Sequence, residues 1–421
     1  MITAALCVCL IAAAQAAPLT DKEVRIIGTM SPVPPAPPDS SNRVADNAEA
    51  AIFGAMVFNR SIFSSNGAVS CATCHLPGRS FTDGRAVAQG VGAGTRNSPP
   101  LGSVAHQRWF FWDGRADSLW SQALNPMENP LEMDGTRVDI IRVISQESDL
   151  KQQYEALFGA LPDMGDAQRF PTRAKPGMPA WDAMSQADRT SVTRAFVNVG
   201  KSIAAFERTL TVGRSPFDRF AQALKRKQPT DGILSPQALR GLQLFIGEAG
   251  CRNCHAGPLF TDRAFHNQGL PTADGLFPTD PGRAGGLESA QSAEFRLASV
   301  WSDDPEGDRA RRAGNATAGP EHWGAMKTPA LRNLPTTGPY MHDGRFETLS
   351  QILAFYNTLE GQIRIDHHQE TVLKPLNLPP EDLLALEAFL ESLQDGAPDA
   401  RRGKNKPLID ADGDPMLDAS E

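Results

Sequence analysis

The pentapeptide Cys71-Ala72-Thr73-Cys74-His75 returns as Cys251-Arg252-Asn253-Cys254-His255. Two thiols at this spacing can add to the two vinyl groups on one porphyrin edge. The histidine that follows offers a neutral imidazole to the iron. A Cys-x-x-Cys pair by itself also suits a redox dithiol or a zinc site. Two copies, each closed by histidine, in a chain with an export-type N-terminus, point to two covalent c-type haems. The expectation is a mainly α fold, two cytochrome c-like haem domains in tandem, with long irregular loops.

The remaining cysteines agree. The chain has six, and Cys7 and Cys9 fall within an apolar, small-residue stretch ending in Ala14-Gln15-Ala16. That stretch reads as a signal peptide over residues 1–16. The four haem cysteines then leave no thiol for a disulfide. The net charge of −8, without a basic patch interleaved with aromatics, argues against a nucleic-acid partner. No later stretch reads as a membrane span.

Residues 17–44 read as a Pro-rich leader, extended over 31–42 where five prolines fall. Residues 45–228 form the expected N-terminal domain and 229–396 the C-terminal one, with a junction near 211–234. Residues 397–421 are a polar tail, and Asp410, Asp412 and Asp414 in it read as frayed acidic chain because Pro415 stands where a calcium loop needs glycine. Helices are expected at Asn47–Phe58, at about Ala116–Leu124 with Pro126 and Pro130 ending it, over 136–160, and from Ser185 with a buried Val192, Phe196, Val199, Ile203, Phe206, Leu210 stripe. Others follow Ser235-Pro236 and cover Glu381–Leu393. Residues 270–325 read as an irregular surface insertion over the second haem. His106, His367 and His368 read as solvated polar surface.

The two halves repeat beyond the haem motifs. Phe81-Thr82-Asp83 corresponds to Phe260-Thr261-Asp262. The stretch from Trp112-Asp113-Gly114-Arg115 to Leu124 corresponds to that from His342-Asp343-Gly344-Arg345 to Leu353. A one-residue gap opposite Trp120 aligns Ser121-Gln122 with Ser350-Gln351. Past this point the halves diverge: Asn125-Pro126-Met127 stands against Ala354-Phe355-Tyr356. A tyrosine can reach an iron and a proline cannot. One iron is therefore expected to be open and the other capped.

On these motifs residues 45–395 resemble the bacterial di-haem cytochrome c peroxidase/MauG family. The resemblance implies a peroxide-reacting N-terminal haem, held by Cys71, Cys74 and His75. It implies an electron-transfer C-terminal haem, held by Cys251, Cys254 and His255. Trp112 matches the family's tryptophan between the haems. Gln122 and Glu132 match its distal glutamine and glutamate, the latter moving a proton as peroxide is cleaved; Glu128 is a rival. Asn97, Thr337 and Pro339 match an interhaem calcium site. Tyr356 stands fourteen residues after His342, where MauG-type members carry the second haem's distal ligand, with Met341 as the rival. The implied partners are hydrogen peroxide and a small electron donor, a cytochrome c or cupredoxin, or else a protein substrate. The implied location is the periplasm.

Two departures refine this. No histidine occurs between Leu76 and Ala105 to block the first haem, so that haem is expected to be open in the resting protein. The surface tryptophan that MauG uses two residues before its second motif is here Ala249. Trp301 and Trp323 read as packing for the insertion. Oxidation of a partner protein's side chain, or a non-catalytic electron-transfer cytochrome, are the alternatives to peroxide reduction.

Overall fold

The computed structural model describes residues 17–272, 275, 278–363 and 372–396. The signal-peptide stretch, the polar tail and His367-His368 lie outside them.

The described chain is mainly helical, with one two-stranded antiparallel ladder pairing Phe265 with Lys327 and His266 with Met326. Two hydrophobic cores divide it. The first is built from residues between Phe53 and Phe206. The second gathers Phe217, Phe245, Phe260, Leu353, Phe389 and their neighbours.

The same construction produces both halves. In the first, the Ala48–Asn59 helix is capped by Asn47, whose side chain accepts from the Ala50 N–H. It runs into the haem motif after burying Phe53, Met56 and Phe58. It crosses the long Gln186–Glu207 helix at Gly54, where a Cβ would fall 1.9 Å from the Ser202 carbonyl oxygen. In the second, the Pro236–Ile246 helix is capped by Ser235 and crosses the Pro380–Glu391 helix at Gly241. A Cβ there would fall 1.8 Å from the Ala385 carbonyl oxygen. Only glycine allows backbones this close. Each haem motif thus lies beyond a helix clamped on the half's closing helix, a tandem of two cytochrome c-like units.

Several segments depart from the sequence reading. The leader contains a helix, Asp21–Thr29, started by a Thr20–Glu23 capping box. It buries Ile27 and Met30 in the second core. The proline segment then crosses to the first half, where Asn42 Nδ2 donates to the Lys201 carbonyl (2.9 Å) and Trp120 Nε1 to Ser41 Oγ (3.1 Å). The junction holds a further helix, Pro216–Lys225, whose Phe217 and Phe220 belong to the second core. Buried Arg332 ties these pieces together by bonding both oxygens of Asp218 (2.6 and 3.0 Å).

The insertion does not simply cover the second haem. Among its described residues only Leu270, Pro278, Asp280 and Gly324 line that cavity. Its middle lies on the first half, with Phe295 and Trp301 packed on the first core. Buried charges explain the route, because each needs a partner once out of water. Arg137 takes Glu294 (3.0 Å) as well as Glu128, and Lys201 takes Asp303 (2.7 Å). Trp323 is 36% exposed, with Nε1 donating to the Pro278 carbonyl (3.2 Å). His106 is buried rather than solvated, and its ring nitrogens lie 3.2 and 3.1 Å from the Ser103 and Pro34 carbonyls.

Candidate haem sites

Each motif histidine is held in one orientation. His75 Nδ1 lies 2.9 Å from the Phe81 carbonyl, and His255 Nδ1 2.8 Å from the Phe260 carbonyl. Both carbonyls come from residues with positive φ, 61° and 53°, which turn the chain back onto the imidazole. A bond from Nδ1–H leaves Nε2 unprotonated and free for a metal. Burial also lowers both imidazole pKa values, which favours the neutral ligand form. The four motif cysteines carry no disulfide. With a cavity beside each motif, of ≈ 440 Å³ at Cys74 and His75 and ≈ 290 Å³ at Cys251, Cys254 and His255, the donor sets fit two c-type haems.

Trp112, Gln122, Pro126 and Glu132 all line the first cavity. Gln122 and Pro126 come from the Leu119–Glu128 helix, which runs through Pro126 rather than ending before it. A proline there forgoes the N–H bond back to the carbonyl four residues earlier, a cost the surrounding fold must offset. Glu132 follows the helix. Its Oε1 accepts from Asn129 Nδ2 (2.7 Å). Its main chain is pinned to the glycine loop: Val91 N–H donates to the Glu132 carbonyl (2.8 Å) and Gly92 N–H to the Leu131 carbonyl (3.0 Å). Burial raises the Glu132 pKa, opposed by the positive charge of Arg115 and by the Asn129 bond. The rival Glu128 is engaged elsewhere, with Arg137 bonding both of its oxygens (3.1 and 2.8 Å).

Tyr356 and Met341 line the second cavity together with Tyr340 and His342. Tyr356 rises from the Leu349–Thr358 helix and its hydroxyl donates to Gln268 Oε1 (3.2 Å). Burial raises its phenol pKa. Met341 stands in the turn, at φ 69°, in the place Phe111 takes at φ 65° in the first half. The turns match closely, each closed by a bridge, Phe110 with Ala116 and Tyr340 with Phe346.

The two helices also match, and this corrects the repeat. Both have ten residues, capped by Ser118 and Thr348, so no gap falls opposite Trp120. A helix that lost one residue would rotate every later side chain by roughly a quarter turn. Pro126 is therefore the counterpart of Tyr356. Gln122 is the counterpart of Ile352. Gln351 completes its own helix cap, accepting from the Glu347 and Thr348 N–H groups (2.6 and 3.2 Å).

Asn97, Pro100, Trp112, Lys327, Pro329 and Ala330 line both cavities. Trp112 is fixed there by its Nε1, which donates to the Asn97 carbonyl (2.9 Å). Asn97 also donates from its N–H to the His342 carbonyl (2.7 Å) and from Nδ2 to the Arg85 carbonyl (2.8 Å), leaving Oδ1 over. Thr337 and Pro339 line the second cavity with it. Cys254, Asp262 and His266 also approach one another. With Cys254 committed to a thioether, that group reduces to the His266–Asp262 pair (2.8 Å).

The sequence reading missed Arg115, although it stands in the Trp-Asp-Gly-Arg turn itself. It lines the first cavity, its guanidinium 3.5 Å from the centre of the Phe111 ring. Lys327 and Gly90 were also missed, and neither stands in a motif that would have flagged it.

Comparison with known proteins places this architecture. The family model for di-haem cytochrome c peroxidase matches residues 48–226. The methylamine utilization protein MauG of Methylorubrum extorquens is 31% identical over 365 residues, covering 86% of this chain and 81% of that protein. The cytochrome-c peroxidase IdrP1 of Denitromonas iodatirespirans is 29% identical over 378 residues, covering 86% of each. The fold matches the crystal structure of the diheme peroxidase BthA from Burkholderia thailandensis with a TM-score of 0.61, at 23% identity, over 87% of this chain and 89% of that one. The chain, with its two haem-binding halves, belongs to the di-haem cytochrome c peroxidase/MauG family of oxidoreductases.

Proposed function

We propose that the protein reduces hydrogen peroxide to water at the first cavity, with two electrons arriving through the second. The observation that carries this is the counterpart relation of Pro126 and Tyr356: a phenol faces the second cavity where a proline faces the first. Haem iron, when bound, supplies a coordination position for peroxide at the first site and one-electron chemistry at both.

The chain's own residues supply the rest. Glu132, in its carboxylate form, would take a proton from one peroxide oxygen and hand it to the other, which leaves as water. Gln122 offers an amide N–H that would hold the peroxide in place, and the second oxygen would leave as a second water once two electrons and two protons are supplied. Arg115 lines the same cavity and favours the ionised glutamate. Trp112 lies between the cavities as the electron path. Tyr356, at the place Pro126 takes in the first half, would cap the second site, with Met341 as the rival. Asn97 Oδ1 and the carbonyls of Thr337 and Pro339 make an oxygen-only set suited to calcium. The natural electron donor is a small cytochrome c or cupredoxin in the periplasm. No helix among the described residues is long and apolar enough to cross a membrane.

Tyr356 at the MauG-type position favours a second reading, oxidation of a partner protein's side chain. Ala249, in place of the exit tryptophan, weighs against it. Steady-state peroxide reduction with a reduced small cytochrome as donor tests the primary reading. Turnover that is abolished by Glu132→Gln supports it. Absence of turnover with every small donor, while peroxide still oxidises the haems, would turn the assignment to a protein substrate.

A further inference from the structure

Among the six residues shared by the two cavities, Lys327 is the only charged one. It is placed firmly. Its main-chain N–H donates to the Trp112 carbonyl (2.7 Å), and it pairs with Phe265 in the short ladder. Its Nζ donates to the Trp109 carbonyl (3.0 Å). Among the described residues it forms no ion pair. The carboxylate that acts on it, Asp113, is already taken by Arg96 (2.5 Å) and Arg115 (3.2 Å).

An ammonium has three N–H donors, and the Trp109 carbonyl uses one. Burial pushes its pKa down to about 8. A lysine left this way between two cavities costs free energy unless an anion completes it. The described residues bring none. Each haem brings two: a c-type haem fixed through its vinyl groups at a Cys-x-x-Cys pair carries its propionates on another edge of the ring. We propose that Lys327 is the counter-ion for haem propionates at the boundary of the two cavities, and that it thereby raises the reduction potential of both haems. A cation held there favours the less positive, reduced iron. The inference rests on the two haems and not on the peroxide chemistry proposed above.

The test compares Lys327→Met with Lys327→Arg in the full-length, haem-loaded protein. Haem content is counted as the pyridine haemochrome, and both midpoints are read by spectroelectrochemical titration without peroxide. The Met variant is expected to shift each reduction equilibrium about tenfold toward the ferric form, about 59 mV for a one-electron couple. The Arg variant should stay near wild type. A Met variant with two haems and unchanged midpoints overturns the proposal, as do equal shifts in Met and Arg. Should the Met variant take up fewer haems, full loading in the Arg variant supports the charge role, and an equal deficit in both overturns it.

Discussion

Pro126 and Tyr356 occupy one and the same place in the two halves. Each is the eighth residue after its helix cap, Ser118 or Thr348, and each lines its half's haem cavity. A duplicated framework thus presents a ring without a ligand atom on one side and a phenol on the other. The two cavities differ at this position by one side chain on a shared scaffold, beside the further difference of Gln122 against Ile352.

This relation predicts the spin states. Low-temperature EPR of the resting ferric protein should show one high-spin and one low-spin haem. In Tyr356→Phe only the low-spin signal should change. In Pro126→Tyr the high-spin signal should diminish and reaction with peroxide should slow. Two low-spin haems in the wild type would contradict the open first site.

Glu132 sets the expected pH dependence. Burial raises its pKa above the ordinary carboxylate range, so the base form is lost at a higher pH than for a free glutamate. kcat/KM for peroxide should fall as pH drops through that raised value. Glu132→Gln should remove this acid limb and lower kcat/KM by roughly 10²–10⁴-fold. Glu128→Gln should leave the limb in place and act on stability instead, through Arg137.

Gly90 provides a positioning test away from the reacting groups. A Cβ there would lie 2.5 Å from the Glu132 carbonyl oxygen and 2.6 Å from that of Leu131. Gly90→Ala must push the glycine loop off the Glu132 backbone, at a cost of about 1–3 kcal/mol. Peroxide turnover should drop with haem content unchanged, as read by steady-state kinetics beside a haemochrome count.

Glu207 predicts a stability slope. It is buried at the end of the Gln186–Glu207 helix, its Oε2 meets no hydrogen-bond partner, and burial lifts its pKa to about 8 from 4.5. The folded chain therefore keeps a proton that the unfolded chain releases. Its contribution is fully present below pH 4.5 and is lost as pH rises toward about 8. The Tm should fall across that window, and Glu207→Gln should flatten the fall. An unchanged slope in the variant would show that another group carries it.

Much of the site was legible in the chain because covalent chemistry fixes it locally. A Cys-x-x-Cys-His run needs no distant partner to declare itself. Helix caps such as Ser185 and Ser235 lie within one turn of what they cap, so they were legible too. The repeat was visible, but sequence identity misplaced it by one residue: Gln122 and Gln351 look equivalent and are not. Helix rotation decides which side chain faces a cavity, and only the capped ends of the two helices fix that rotation.

By itself the sequence determined the two haem attachments, the helical class and the chemical contrast between a proline and a tyrosine near the irons. The tertiary structure decided what depends on distant segments meeting. It engaged Glu128 with Arg137 and left Glu132 in the cavity. It laid the insertion on the first half because buried Arg137 and Lys201 need carboxylates from it. It carried the leader across both cores, and it set Trp112 and Lys327 between the two cavities. Neighbours along the chain declare covalent and capping chemistry, whereas burial and charge pairing belong to the folded whole.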